Sequence, residues 1–173
     1  TGILVLSNNP TIANEPNIPL NSKTLTSNLI TPNKGDFVVY SFNDQYLGKH
    51  KRIHRLVAVE NDTIEIRNGI AYLNGKNIDK GLNFGFFFKT DKKNYLKIEE
   101  NNLLLEDLII EPLDSNNIKI LLNSELANQL NFKTERLILK KNALDKVIQE
   151  KYNQPWNKDN FGPIVIPKGK VRF

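Results

Sequence analysis

The chain has no cysteine and no methionine, a single tryptophan and only two histidines among its 173 residues. Without cysteine there is no disulfide framework and no thiolate nucleophile, and the redox compartment stays open. The lack of any methionine, an initiator included, predicts a fragment or a processed product. Long apolar runs are missing too: "TGILVL" at the start is far below the ~18–20 residues needed to cross a bilayer, and reads as the tail end of something longer. The formal charge of +5 and pI near 9.3 suit an acidic partner such as an anionic membrane surface. The lysines form no basic block, so no nucleic-acid ligand is expected.

What is present is strand-forming sequence. The length suits one domain carrying a sizeable insertion. From 35 to 77, "GDFVVYSF", "RIHRLVAV", "DTIEIR" and "IAYLNG" are rich in Val, Ile, Tyr and Phe and alternate in places, which predicts neighbouring strands of one twisted antiparallel sheet. Asn68-Gly69 is a strong hairpin signal, because both residues tolerate the positive φ of a type I′ turn, and Asn74-Gly75 marks the next turn. From 82 to 152 the composition shifts to Lys, Asn and Leu. This stretch reads as a variable α+β insertion packed away from the site, with strands near "NYLKIEE" and "NNIKILL", a short helix near "SELANQL", and a helix over 142–152 capped by Asn142. "GPIVIPKGKVRF" returns to strand. The expected fold is therefore mainly β: a core from 1–81 and 153–173 around a small α+β insertion at 82–152.

Chemistry centres on the histidines. His50 and His54 lie about 13 Å apart on a strand, too far to share a metal, so neither metal nor cofactor is expected. In a strand over "RIHRLVAV", His54 shares a face with Leu56 and Ala58. It is either a half-buried histidine held by a backbone carbonyl or a general base, since imidazole is the side chain whose ordinary pKa suits proton transfer near neutrality.

"NKGDFVVYSF", then "HRLVAVENDTIEIRNGIAYLNGK", then "WNKDNFGPIVIPKGK" resemble, in order and spacing, three landmarks of type I signal peptidases, the membrane-bound serine peptidases that remove signal peptides from exported proteins. The resemblance covers roughly 7–77 and 156–170. It implies that His54, directly before Arg55 and eight residues ahead of the turn residue Asp62, takes the general-base position usually held by lysine. That is similar to the Ser-His arrangement of the endoplasmic-reticulum branch. Lys51-Arg52 has the bacterial residue types but sits three positions too early. Asn61-Asp62 stands where the family has Gly-Asp, and Asp62 is expected to brace the turn.

For the nucleophile the resemblance leaves two registers open. "SNNPTI" keeps a Ser-x-x-Pro-Thr-apolar pattern with Ser7 as nucleophile, whereas "ANEPNI" has the better distance to "NKGDF" and places Ala13 where the serine should stand. The implied partners are signal-peptide-bearing preproteins and a membrane surface, reached through an N-terminal anchor outside this chain. The implied location is the outer, periplasmic face of the cell membrane. The alternative is a catalytically inactive peptide-binding or scaffold relative that kept the fold and lost the nucleophile.

Overall fold

The computed structural model describes residues 4–9, 11–14, 17–44, 48–100, 109–130 and 133–169, with backbone alone at 12, 80 and 98–100. Strands β1 (Leu4–Asn8) and β2 (Lys23–Ser27) form one antiparallel ribbon, and β3 (Phe37–Asp44) and β4 (Gly48–Arg55) form a second. A four-stranded sheet follows from β5 (Thr63–Arg67), β6 (Ile70–Leu73) and β7 (Lys76–Asn77). Beyond it lie the one-turn helix α1 (Asp79–Leu82), β8 (Gly85–Asp91), α2 (Lys92–Glu100), β9 (Ile110–Pro112), β10 (Asn117–Asn123), α3 (Ser124–Gln129), β11 (Glu135–Arg136), α4 (Lys146–Tyr152) and β12 (Phe161–Val165). The order β12-β5-β6-β7 closes one sheet, and β11-β8-β10-β9 makes another; every strand pair is antiparallel. The fold is mainly β.

Asparagine does much of the turning. Every non-glycine residue with positive φ among the described residues is an asparagine: Asn21, Asn61, Asn68, Asn74, Asn83 and Asn153. Its short polar side chain tolerates the left-handed region that other L-residues avoid. Asn61, at φ 67, turns the chain in this way just before Asp62. The Asn68-Gly69 and Asn74-Gly75 pairs both have the two positive φ values of the expected hairpin turns.

Four local readings are corrected. "DFVVYSF" and "RIHRLVAV" pair with each other but share no sheet with the Asn68-Gly69 hairpin. The strand carrying His54 begins earlier, at Gly48, and stops at Arg55, so the face mates of His54 are Arg52 and His50, and Leu56 and Ala58 lie beyond the strand. "NYLKIEE" is helical within α2: Asp91 accepts the Lys93 N–H at 2.7 Å at its start, the straight-chain lysines suit a helix, and Tyr95 packs on the core. Finally, the last helix starts at Lys146, because Asp145, and not Asn142, caps it by accepting the Ile148 N–H.

The deepest apolar cluster lies within residues 82–152. In β10, Ile118, Ile120 and Leu122 alternate onto one face and bury with Phe88 of β8 and Ala127 of α3. This unit is stitched to the rest of the chain. Arg136 stacks on Phe86, its guanidinium lies 3.5 Å from Asp79, and it donates to the Gly69 carbonyl in the β5–β6 turn. Asn157, fully buried, donates to the carbonyls of Lys140 and Ala143, while its Oδ1 accepts from the N–H groups of Asp159 and Asn160.

Two stability predictions follow from the β5-containing sheet. Gly162 sits at φ +88, and a Cβ there would lie 2.8 Å from the Ile64 carbonyl oxygen. Left-handed strain plus a backbone clash should make Gly162→Ala less stable by about 2–3 kcal/mol, seen as a lower urea midpoint at unchanged slope. Asp62, the expected brace, accepts from the Val59 N–H at 2.9 Å and from Asn74 at 2.7 Å, with Lys34 3.2 Å away. These hydrogen bonds, Val59 foremost, and the lysine charge hold its pKa below the usual carboxylate value. A carboxyl depressed in the folded state stabilises above its unfolded pKa and ceases to do so as pH falls through the folded one. Asp62→Asn should therefore flatten the fall in melting temperature below about pH 4, the range where free carboxyls titrate.

Candidate functional site

The site begins with register. Pairing of β3 with β4 sets Val38 opposite His54 and Tyr40 opposite Arg52. Tyr40 is therefore the diagonal neighbour of His54 on one face, within reach for long side chains. Its hydroxyl lies 2.8 Å from Nδ1 of His54, with ring centroids 5.8 Å apart. Next along the face, Arg52 stacks on Phe42, and its Nε donates to His50 while its Nη2 meets Asp44 at 3.3 Å.

His54 is partly buried, and its pKa is pushed below the ordinary imidazole value, first by lost hydration and then by the Arg52 charge. The neutral ring is the form able to accept a proton. Arg55, on the opposite face of the strand, lies over the Phe37 ring and donates to the Gly35 carbonyl at 2.7 Å. That bond, with the Asp36 carboxylate accepting from the Asn33 N–H, fixes the turn that launches β3.

Against this strand rests a 3-10 turn, Ile12–Asn14. Asn14, buried, donates to the Ile53 carbonyl at 2.9 Å, one residue before His54, and to the buried Asn9 at 3.2 Å. Asn9 in turn donates to the carbonyls of Ile18 and Pro19. The pair of asparagines thus pins the loop that carries Ala13 onto β4.

The outcome is a cleft of about 160 Å³ lined by Ala13, Asn14, Asn17, Phe37, His54, Arg55, Phe84 and Gly85. Ala13 and His54, assigned from sequence spacing to one reaction centre, line the same cleft. Ser7 does not line it: it belongs to β1, opposite Thr24, with its hydroxyl buried and without a hydrogen bond. Pro10, Glu15 and Pro16 of the two candidate boxes lie outside the described residues. Contrary to the expectation that the 82–152 segment stays away from the site, Phe84 and Gly85 form part of the wall, and Asn17 donates to the Asn83 carbonyl.

A larger hollow of about 750 Å³ lies along α4, between Lys141, Leu144, Gln149 and Pro155. Its lining holds amides and a lysine but no histidine or carboxylate, so the smaller cleft, which holds His54, is the better candidate for proton-transfer chemistry. Comparison with protein-family models, curated proteins and solved structures gives no significant match.

Sequence pattern alone does not point to Tyr40 or Asn14. Tyr40 was recoverable once the β3–β4 hairpin was paired about its midpoint. Asn14 carried no signal, because only the folded loop shows it reaching Ile53.

Proposed function

We propose that this chain is the peptidase unit of a signal peptidase I-like serine endopeptidase, with His54 as general base and position 13 as the nucleophile position. The observation that carries the reading is the shared cleft: the residue that spacing placed at the serine position and the residue that order placed at the base position face one small cavity, 41 positions apart in sequence. Acyl transfer would proceed by attack of a hydroxyl at position 13 on the scissile carbonyl, its proton passing to His54 and from there to the amine that leaves as the C–N bond breaks, after which water, deprotonated by His54, would release the acyl group. The substrate is an extended preprotein segment with small residues before the cut, in keeping with the size of the cleft. Exposed Leu4, Leu6 and Leu25 on one face of the β1–β2 ribbon, with Leu29 and Ile30 beyond it, support work at a membrane surface, at the outer face of the cell membrane.

Alanine at 13 has no nucleophilic atom, which favours a second reading: the chain binds a peptide in this cleft without cutting it. Cleavage of a signal-peptide substrate by the Ala13→Ser variant tests the first reading. Saturable binding of that peptide by the unaltered chain, without cleavage and with no activity gained on Ala13→Ser, supports the second.

The lowered His54 pKa gives the enzymatic reading a pH signature. The base must be neutral, so kcat/KM of Ala13→Ser should rise with pH along a limb centred below the ordinary imidazole pKa and stay flat above it. Arg52→Gln removes a charge that disfavours the imidazolium. It should move that limb to higher pH.

A further inference from the structure

We propose that Tyr40 is the positioning residue of His54: its hydroxyl oxygen accepts the Nδ1–H of the imidazole, selects that tautomer, and leaves Nε2 to take the proton of a hydroxyl at position 13. The role rests on the peptidase reading, but the tautomer itself does not. One contact and two consequences of imidazole chemistry carry it. The Tyr40 Oη to His54 Nδ1 distance of 2.8 Å is a full hydrogen bond, and the register that produces it is fixed by eight paired residues on each strand. Because Nδ1 is occupied, Nε2 is the ring nitrogen left for a reacting group in the cleft. Once His54 holds a second proton, both ring nitrogens are donors, and the tyrosine oxygen must then be the acceptor.

A neutral ring can satisfy the Tyr40 bond in two ways, and the two differ in function. With the hydroxyl donating to Nδ1, the proton sits on Nε2 and the ring offers no base to the cleft. With Nδ1–H donating to the hydroxyl, Nε2 carries its lone pair, and the same bond strengthens as the imidazolium forms. Tyr40 thereby fills the place of the third member that orients the base in a nucleophile–base pair, using a neutral oxygen where a carboxylate is common. Lost hydration first, and then the charge of Arg52, paired opposite Tyr40, keep the imidazolium disfavoured.

Nitrogen-15 NMR of the uniformly labelled, unaltered chain reads the tautomer directly, since protonated and unprotonated ring nitrogens differ widely in shift. Above the His54 titration, Nδ1 is expected in the protonated position and Nε2 in the unprotonated one. In Tyr40→Phe, which removes only the hydroxyl, that preference should be lost and the populations should move toward the Nε2–H form. In the Ala13→Ser background the same change should lower kcat about tenfold, the worth of one hydrogen bond of ~1.4 kcal/mol, with KM little changed. An unprotonated Nδ1 in the unaltered chain, or a tautomer that survives Tyr40→Phe, overturns the proposal. If the tautomer is found and is lost on Tyr40→Phe, yet Ala13→Ser cleaves nothing, Tyr40 stands as the group that sets His54 and the peptidase reading fails.

Discussion

Ala13→Ser should yield a chain that cleaves a signal-peptide substrate, and adding His54→Ala should cut that activity by roughly 10²–10⁴, the usual contribution of a positioned general base. The size follows from the role. A serine hydroxyl is a weak nucleophile at neutral pH unless a neighbouring base removes its proton during attack. His54 suits that role: it lines the cleft with residue 13, its Nδ1 lies against the Tyr40 hydroxyl, and lost hydration followed by the Arg52 charge lowers its pKa. His50 is the control, since it bonds to Gly48 and Arg52 farther along the same ribbon and is absent from the cleft lining. On the high-pH plateau, where a shift of the Arg52 side chain no longer matters, His50→Ala should leave the rate within about twofold, as expected of a change away from the reacting atoms. Ser7→Ala is the second control, and activity that depends on Ser7 in place of residue 13 would refute the assignment. A silent Ala13→Ser variant that keeps its fold would move the protein to the peptide-binding class.

The β character of the chain was legible because its signals are local. Val- and Ile-rich runs separated by Asn-Gly pairs force hairpins whatever lies around them, and β5–β6 forms as read. Sheet membership was not legible, because which ribbons share a sheet depends on edges meeting in space: β5 pairs with β12, nearly a hundred residues away, and not with β4. The misreading of "NYLKIEE" has a similar cause. Its apolar residues fit a strand or a helix face, and the choice is made by Asp91 at the cap and by Tyr95 packing on the buried cluster. The location of the main apolar cluster in the middle segment was hidden by its abundant Lys and Asn, since one short run in β10 supplies three of the core side chains. As for the site, His54 and Ala13 were reachable from order and spacing. Their support was not, since it depends on cross-strand register in one case and on a side chain reaching 39 residues along the chain in the other.

That second support gives the largest expected loss of stability, in Asn14→Ala. Asn14 is buried and its amide serves two buried acceptors, the Ile53 carbonyl at 2.9 Å and Asn9 Oδ1 at 3.2 Å. Alanine leaves both without their donor, and each such loss costs about 1–3 kcal/mol, so a fall of roughly 3–4 kcal/mol is expected in urea unfolding. Asn14→Asp should do no better than alanine despite its matching shape, because a carboxylate oxygen would then face two other acceptors. Asn17→Ala removes a single exposed bond to the Asn83 carbonyl and should cost well under 1 kcal/mol. The effect on chemistry separates positioning from folding. Asn14 holds the turn bearing residue 13 to the carbonyl beside His54, and a displacement of about 1 Å between nucleophile and base can cost about 10² in rate. Assayed in the Ala13→Ser background at a temperature where the protein is fully folded, Asn14→Ala should lower kcat by up to about that factor, while Asn17→Ala changes it little. An Asn14→Ala variant that unfolds earlier yet keeps full kcat would show that the asparagine pair supports the loop alone and that residue 13 reaches His54 by another route.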